Sequence, residues 1–184
     1  MYTKDKILEE IKKGNIVIEP FDPKSVGTNS VDVHLGDTIT FYTDAILDPF
    51  RDNPSITFKI PDEGYVLEPN KLYLANTREY TETHAAIPCY DGRSSFGRLG
   101  LFSHVTAGFG DIGFCGQWTL EIVVPQPLRI YPGLRIGQIY YYEPDGPLPE
   151  CGYSGKYQGS RGTLTSRMFT DREAPQNHKE DNNA

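Results

Sequence analysis

Hydrophobic and polar residues alternate along most of this chain, but the first segment has a different period. In residues 3–13, the apolar side chains Ile7, Leu8 and Ile11 recur at helical spacing, and Gly14 follows them. This pattern predicts one short amphipathic helix that ends at the glycine.

From Asn15 onward the apolar residues recur at every second position, and Pro, Gly, Asn and Asp separate the runs. Period-two runs of this length predict β-strands. The predicted strands contain Ile16 and Ile18; Val31, Val33 and Leu35; Ile39 and Phe41; Ile56, Phe58 and Ile60; Tyr65 and Leu67; Leu72 and Leu74; Trp118 to Val124; Leu128 to Ile130; and Ile136 to Tyr142. Many short strands with frequent turns are typical of an antiparallel sandwich or barrel.

Residues 91–121 carry more glycines and polar groups than a β-core needs. The first half of this stretch brings Arg93, Ser94 and Ser95 together after a glycine, and Arg98 follows. Backbone amides, hydroxyls and a guanidinium suit a multiply charged anion such as a polyphosphate. A turn that caps a short helix is the alternative, and the residues alone do not decide between the two.

The second half contains two carboxylates in unusual places. Glycines surround Asp111, which allows a close approach of backbone to a ligand, although a plain hairpin tip is the alternative. Glu121 interrupts an apolar, β-prone run and should share a strand face with Thr119. Partial burial there would raise the pKa of Glu121 and let it move a proton near neutral pH. A solvent-facing strand is the alternative.

These motifs resemble those of the dCTP deaminase family of the trimeric dUTPase superfamily. The string GRSSFGRLGL is similar to the phosphate-binding motif of that family, HVTAGFGDIGF to its deoxynucleoside-binding hairpin, and TLE to its catalytic strand. Residues 29–36 resemble its early strand motif, residues 67–70 and 74–77 its middle strands, and residues 153–159 its C-terminal lid. The resemblance spans about residues 1–167, in order.

The resemblance implies a mainly β fold. We expect a distorted antiparallel β-barrel or jelly roll of the dUTPase type, with a short N-terminal helix and a mobile C-terminal lid. One dUTPase-like domain should occupy residues 1–170, including the lid at about residues 150–167. Residues 171–184 lack apolar anchors and are expected to form a disordered tail. The family also implies self-association as a homotrimer with sites between subunits.

The function that the resemblance implies is hydrolytic deamination of dCTP with release of ammonia, followed by diphosphate cleavage to dUMP. In this reaction Glu121 would take a proton from the water that attacks carbon 4 of cytosine. The implied catalytic residues are Glu121, Ser94, Arg98, Ala107 and Asp111. The implied substrate-binding residues are Arg93, Ser94, Ser95, Arg98, Asp111, Thr119, Leu120, Glu121, Tyr153, Lys156, Gln158 and Ser160.

The motifs contain features for and against the second step. The run Ala107-Gly108-Phe109 and the lid string KYQG are similar to the bifunctional members that form dUMP. Ser160 and Gly162-Thr163, however, differ from the usual lid of those members. Three alternatives therefore stay open: a deaminase that stops at dUTP, a dUTPase without deaminase activity, and a non-catalytic module that binds or senses nucleotides.

Composition narrows the classes of partner. The 184 residues carry a formal net charge of −7 and a sequence pI near 5.1, which argue against a surface that coats nucleic acid. A nucleotide partner, dCTP or dUTP, should therefore be a small molecule. Three cysteines without CxxC spacing predict a reduced, cytoplasmic setting. No apolar run reaches membrane length, so we expect no membrane contact.

Metal ligation is expected only through the substrate. Zinc deaminases carry a Pro-Cys-x-x-Cys signature, but no second cysteine follows Pro88-Cys89 at that spacing. The four histidines, including His104, lack partners at ligand spacing, so we expect no zinc. Magnesium should bind through the triphosphate. We expect a structural role for His104 and no catalytic role for Asp32.

Overall fold

The computed structural model describes residues 1–171, and the chain folds mainly into antiparallel β-strands. All of the predicted tail except Asp171 therefore lies outside the described residues. The helices are α1 (Lys4–Lys12) and α2 (Ser94–Gly97), and the strands are β1 (Ile16–Glu19), β2 (Val31–Tyr42), β3 (Ser55–Lys59), β4 (Tyr65–Leu67), β5 (Tyr73–Thr83), β6 (Ile87–Gly92), β7 (Cys115–Ile122), β8 (Leu128–Ile130) and β9 (Arg135–Tyr142).

Two long strands organise the sheet. β2 pairs with β9 through its first residues, with β3 through its last residues and with β5 between them, and β5 also pairs with β1 and β7. Register shifts interrupt β2 between Leu35 and Ile39 and β5 between Asn76 and Tyr80. Because such bulges bend a strand, each long strand can serve several neighbours, and the sheet curls around its core.

The core is formed by the alternating apolar residues that the sequence pattern predicts. The fully buried large side chains are Tyr73, Tyr141, Ile7, Ile16, Leu35, Ile39, Ile60, Leu67, Leu120, Ile122, Ile130 and Ile136. Helix α1 adds Ile7 to this core, and Leu8 and Ile11 pack against it. The mainly β fold with one short N-terminal helix is thus confirmed. Within residues 1–171 no helix has the length and apolarity needed to cross a membrane.

Three details differ from the predicted strands. The two runs predicted around Val33 and Phe41 form one continuous strand, β2, because a bulge rather than a turn joins them. Strand β6 was not predicted, since Pro88 and polar neighbours hide its pattern. Finally, β7 ends at Ile122, and Val123 makes only an isolated bridge with Phe102.

Candidate active site

Glu121 lies on β7, and the structure turns its side chain away from the core. Buried and partly exposed residues alternate along this strand, so Leu120 and Ile122 enter the core while Thr119 and Glu121 face the other way. Glu121 pairs with Leu74 of β5, and its backbone N–H donates to the carbonyl of Ser103 at 3.2 Å. The predicted alternation is therefore confirmed, and it presents the carboxylate to a pocket.

Three neighbouring groups stabilise the charged form of Glu121. His104 Nδ1 lies 3.3 Å from Glu121 Oε2, and the Val105 N–H donates to the same oxygen at 3.3 Å. The pKa of Glu121 is lowered chiefly because of His104, with help from the amides of Val105 and Thr106, and these effects outweigh the burial that would raise it. The expected rise in the pKa of Glu121 is thus wrong for the resting protein, in which this carboxylate is ionised at neutral pH.

The glycine-rich hairpin after His104 is fixed to β6 by backbone contacts. The Tyr90 N–H donates to the carbonyl of Gly108 at 2.6 Å, and the Gly110 N–H donates to the carbonyl of Pro88 at 2.9 Å. A Cβ atom on Gly108 would lie 2.6 Å from the Tyr90 oxygen, and one on Gly110 would lie 2.6 Å from the Trp118 ring. The glycines are therefore needed for close packing, which fixes the position of Asp111.

The first cavity, which we call the Glu121 pocket, encloses about 390 Å³. Its walls combine aromatic rings with a few polar groups, as is common for small-molecule sites. The lining residues are Tyr42, Leu72, Leu74, His104, Ala107, Phe109, Gly110, Asp111, Phe114, Gln117, Trp118, Thr119, Glu121, Tyr153, Tyr157, Ser160, Leu164, Thr165 and Ser166. Six predicted site residues thus meet here: Glu121, Ala107, Asp111, Thr119, Tyr153 and Ser160.

The predicted lid, residues 150–167, lies against the open side of the Glu121 pocket. Ser160 Oγ donates to the carbonyl of Gln117 at 2.9 Å, and the Gln117 N–H donates to the carbonyl of Ser160 at 2.9 Å. Further along, the Leu164 N–H donates to Thr119 Oγ1 at 3.4 Å. Tyr153 packs edge-on against Phe114, with ring centroids 5.9 Å apart. The lid residues therefore dock on the same strand that carries Glu121.

The predicted phosphate-binding residues lie around a second cavity, the Arg93 pocket. Arg93 and Ser94 line it, and Arg93 Nε lies 3.5 Å from Asp32 Oδ1. Ser94 begins the short helix α2, and Arg98 Nη1 donates to its carbonyl at 3.1 Å. Ser95 and Arg98 are exposed and, in the described part of the chain, are not among the residues that line either pocket. One chain therefore does not bring Ser94 or Arg98 to Glu121.

His104 links the two cavities, because it lines both of them. Its ring lies against Tyr90, with centroids 5.4 Å apart, and Tyr90 Oη donates to Ser103 Oγ at 2.8 Å. The side chain is only 9 % exposed, and its Nδ1 lies beside the Glu121 carboxylate. A lone histidine does not by itself predict such a contact. In the sequence, only its position in the hairpin motif suggested that it lies near the site.

Three other predicted binding residues point elsewhere. The Leu120 side chain is fully buried in the core, so only its backbone can reach a ligand. Lys156 pairs with Asp171, and Gln158 Nε2 donates to the carbonyl of Gly113 at 2.7 Å. Within residues 1–171, neither Lys156 nor Gln158 lines the Glu121 pocket. The sequence analysis also missed several lining residues, among them Gln117 and Trp118. An aromatic or amide side chain on a strand cannot be distinguished in sequence from one that only packs in the sheet.

The acidic groups near the Arg93 pocket leave little room for a protein-held magnesium ion. Asp32 is paired with Arg93 and with Arg135, whose Nη1 lies 3.3 Å from Asp32 Oδ2. Asp91 Oδ1 accepts from the N–H of Gly92 at 2.7 Å. Magnesium prefers several oxygen ligands, and no three acidic side chains converge here among residues 1–171. The carboxylates around the Arg93 pocket are therefore largely occupied by partners from the chain itself.

Comparison with known proteins gives a consistent set of relatives. A family model described as dCTP deaminase-like matches residues 1–143. A protein of Clostridium beijerinckii named dCTP deaminase, dUMP-forming, is 50% identical over 157 residues, which cover 85% of this chain and 90% of that protein. Proteins with the same name from Leptospira biflexa and Cytophaga hutchinsonii are 49% and 48% identical over the same length and with the same coverage.

Solved structures give a similar fold at lower identity. A crystal structure of 2'-deoxycytidine 5'-triphosphate deaminase from Agrobacterium tumefaciens superposes with a TM-score of 0.60 at 21% sequence identity. The match covers 76% of this chain and 47% of that one, so this chain corresponds to about half of that protein. At this identity the similarity concerns the fold alone.

Proposed function

Because the chain belongs to the dCTP deaminase-like family, we propose that it converts dCTP and water to dUTP and ammonia, and then dUTP and water to dUMP and diphosphate. Relatives with about half of their residues identical to this chain are named for the dUMP-forming reaction. The single observation that supports this function best is the position of Glu121, an ionised carboxylate on the wall of a pocket lined by aromatic side chains.

Glu121 is the base in the first step. An ionised carboxylate can accept a proton from water, and its lowered pKa keeps it ready for this at neutral pH. The hydroxide that forms attacks carbon 4 of the cytosine ring, where the backbone of Ala107 would contact it. Glu121 then gives the proton to ring nitrogen 3. Glu121 then moves the proton of the new hydroxyl on carbon 4 to the amino group, which leaves as ammonia, and the oxygen that remains on carbon 4 becomes the carbonyl of uracil.

Asp111 serves the sugar and the second step. It is exposed at the mouth of the Glu121 pocket, where a carboxylate can accept from the 3′-hydroxyl of a deoxyribose. It would also orient the water that breaks the bond between the α- and β-phosphates, which gives dUMP and diphosphate. Magnesium that enters with the triphosphate neutralises phosphate charge.

A homotrimer would complete the site. Ser94 and Arg98 lie away from Glu121 in one chain, so their proposed role in placing water and phosphates requires the copy on a neighbouring subunit. The surface near His104 supports such a contact, because Phe102 and Phe109 are 60 % and 68 % exposed. Large exposed apolar side chains that lie together often mark an interface.

The lid residues Tyr153 and Ser160 close the Glu121 pocket over the nucleotide, and we propose that Lys156 and Gln158 reach the substrate only after the segment rearranges. Lys156 would have to exchange Asp171 for a phosphate, which is a stronger partner for an ammonium group. The three described cysteines are free thiols, which supports a cytoplasmic setting for the reaction.

One assay separates this function from its rivals. Purified protein is incubated with dCTP and magnesium, ammonia is measured enzymatically, and the nucleotides are separated by chromatography. We expect dUMP, diphosphate and ammonia in equal amounts. Accumulation of dUTP would limit the protein to the first step, turnover of dUTP but not dCTP would make it a dUTPase, and tight binding without products would make it a nucleotide sensor.

A further inference from the structure

A second cluster of chemically active side chains lies away from both pockets, at the outer end of the β5–β7 pair. Glu82 lies near the end of β5, and the register of the sheet places it opposite Cys115, the first residue of β7. His84 follows two positions after Glu82, and its backbone N–H donates to the carbonyl of Asn15 at 2.8 Å. The backbone thus fixes Glu82 and Cys115 on paired strands and His84 just beyond the end of β5.

The functional atoms of these residues converge. His84 Nε2 lies 2.9 Å from Glu82 Oε2, and possible ligand atoms of Glu82, His84 and Cys115 all lie within 4.8 Å of one another. Within residues 1–171 this is the only group of three or more such side chains that could share an ion. With zinc bond lengths of about 2.0–2.3 Å, donors around a tetrahedral ion lie about 3.3–3.7 Å apart. Shifts of about 1 Å in partly exposed side chains therefore suffice.

The chemistry of the three groups selects a metal class. A thiolate, an imidazole and a carboxylate are the three donor types found around zinc, and two negative charges would balance a divalent ion. Three protein ligands also leave a fourth position for water. A neighbouring side chain orients the carboxylate, since Tyr80 Oη donates to Glu82 Oε1 at 3.1 Å. The other oxygen, Oε2, then faces His84.

We propose that Glu82, His84 and Cys115 form a binding site for one divalent transition-metal ion of the zinc class. On binding, the Cys115 thiol releases its proton to solvent and a sulfur–metal bond replaces a bond from the ion to water, while His84 and Glu82 exchange their mutual contact for bonds to the ion.

This site would brace the lid rather than take part in deamination. The backbone of Cys115 holds the lid directly: its N–H donates to Gln158 Oε1 at 2.9 Å, and its carbonyl accepts from the Gly159 N–H at 2.7 Å. An ion on the Cys115 sulfur therefore anchors the strand end to which the lid is tied. We expect the melting temperature of the protein to rise when the site is filled.

Cobalt provides the test, because a thiolate bound to Co²⁺ gives a charge-transfer band in the near ultraviolet. The full chain is reduced, stripped of metal and titrated with Co²⁺. We expect saturation at one ion per chain, loss of the band on addition of Zn²⁺, and a higher melting temperature. Cys115→Ser should abolish the band, and His84→Asn should weaken binding by about tenfold or more. Cys151→Ser is the matched control, since this exposed cysteine lies outside the cluster.

The proposal fails if the wild-type protein shows no band, or if the band survives Cys115→Ser or disappears in Cys151→Ser. Circular dichroism checks that each variant is folded, and His84→Asn answers the question alone if Cys115→Ser does not fold. Because the readout is metal binding, its outcome is independent of whether the protein deaminates dCTP.

Discussion

Glu10 in α1 and Glu121 in β7 both have lowered pKa values, but their surroundings serve different ends. Glu10 is 4 % exposed, and its carboxylate contacts Lys6 at 2.9 Å, Lys13 at 3.0 Å and the Asn15 amide at 2.6 Å, which bring its pKa to about 2. Both oxygens of this carboxylate are therefore bound by other side chains of the protein. Its role is therefore to tie the end of the helix to the following strand.

Glu121 has fewer partners and an open side. Its side chain is 30 % exposed, and His104 and the Val105 amide both contact the same oxygen, Oε2, while the residue lines a pocket large enough for a ligand. A lowered pKa alone thus does not identify a catalytic carboxylate, because structural ion pairs lower it as well. Access to a pocket distinguishes the two glutamates, and each prediction below tests that distinction.

The largest expected effect is the loss of catalysis in Glu121→Gln. The amide keeps the shape of the side chain but cannot accept a proton from water, so ammonia release should fall by about 10³-fold or more. Binding of dCTP, measured by calorimetry, should persist. The matched control is Glu10→Gln, which should retain the wild-type rate. Comparable activity losses in both variants would remove the distinction.

The next effect concerns the partner of Glu121. His104→Asn removes the contact that contributes most to the low pKa of Glu121, so that pKa should rise. Because the base must be ionised, the acid limb of kcat/KM should move to higher pH, so the loss of rate should be largest in acid and small at neutral pH. A purely structural role for His104 would lower stability without moving the acid limb, which a full pH profile detects.

Glu10 should control stability in a defined pH range. Its folded pKa of about 2 lies below the ordinary value of 4.5, so the carboxylate stabilises the fold fully above pH 4.5 and loses this contribution as the pH falls toward 2. At pH 7, Glu10→Gln should lower the free energy of unfolding by about 1 kcal/mol. Urea unfolding at several pH values should show that the difference in free energy of unfolding between wild type and variant becomes smaller in acid. A difference that is constant with pH would contradict this interpretation.

The smallest effect is expected for Lys13→Ala. Lys13 is exposed, and Lys6 and Asn15 still hold Glu10 when it is absent. We therefore expect a smaller loss of stability than for Glu10→Gln and no change in deaminase activity. Thermal unfolding at low and high salt measures this, since the contribution of an exposed cation should shrink with salt. A loss as large as that of Glu10→Gln would show that the network depends on one lysine.

The sequence predicts much of the fold because each strand alternates and the core lies on one face. It also singles out Glu121, since this residue is a carboxylate inside the otherwise largely apolar run from Trp118 to Val124. The direction of the pKa shift could not be predicted, because it depends on His104, which reaches Glu121 only through the fold. The same holds for the separation of Ser94 from Glu121.

Contacts between side chains on paired strands also could not be predicted from the spacing of motifs along the chain. Histidine ligands were judged by their neighbours along the chain, where Cys115 lies far from His84. The register of β5 with β7 brings Cys115 beside Glu82 and His84. In antiparallel sheets, residues that are distant in sequence can face each other directly, so motif spacing alone underestimates possible metal sites.

The most direct test of the central claim, attack of water on the pyrimidine beside Glu121, is to run the reaction in ¹⁸O-labelled water and analyse the products by mass spectrometry. We predict one ¹⁸O atom in the uracil ring of dUMP, at the position from which ammonia leaves, and another in the phosphate of dUMP or in diphosphate. An unlabelled uracil ring, or cleavage of the phosphates with the cytosine intact, would contradict the account.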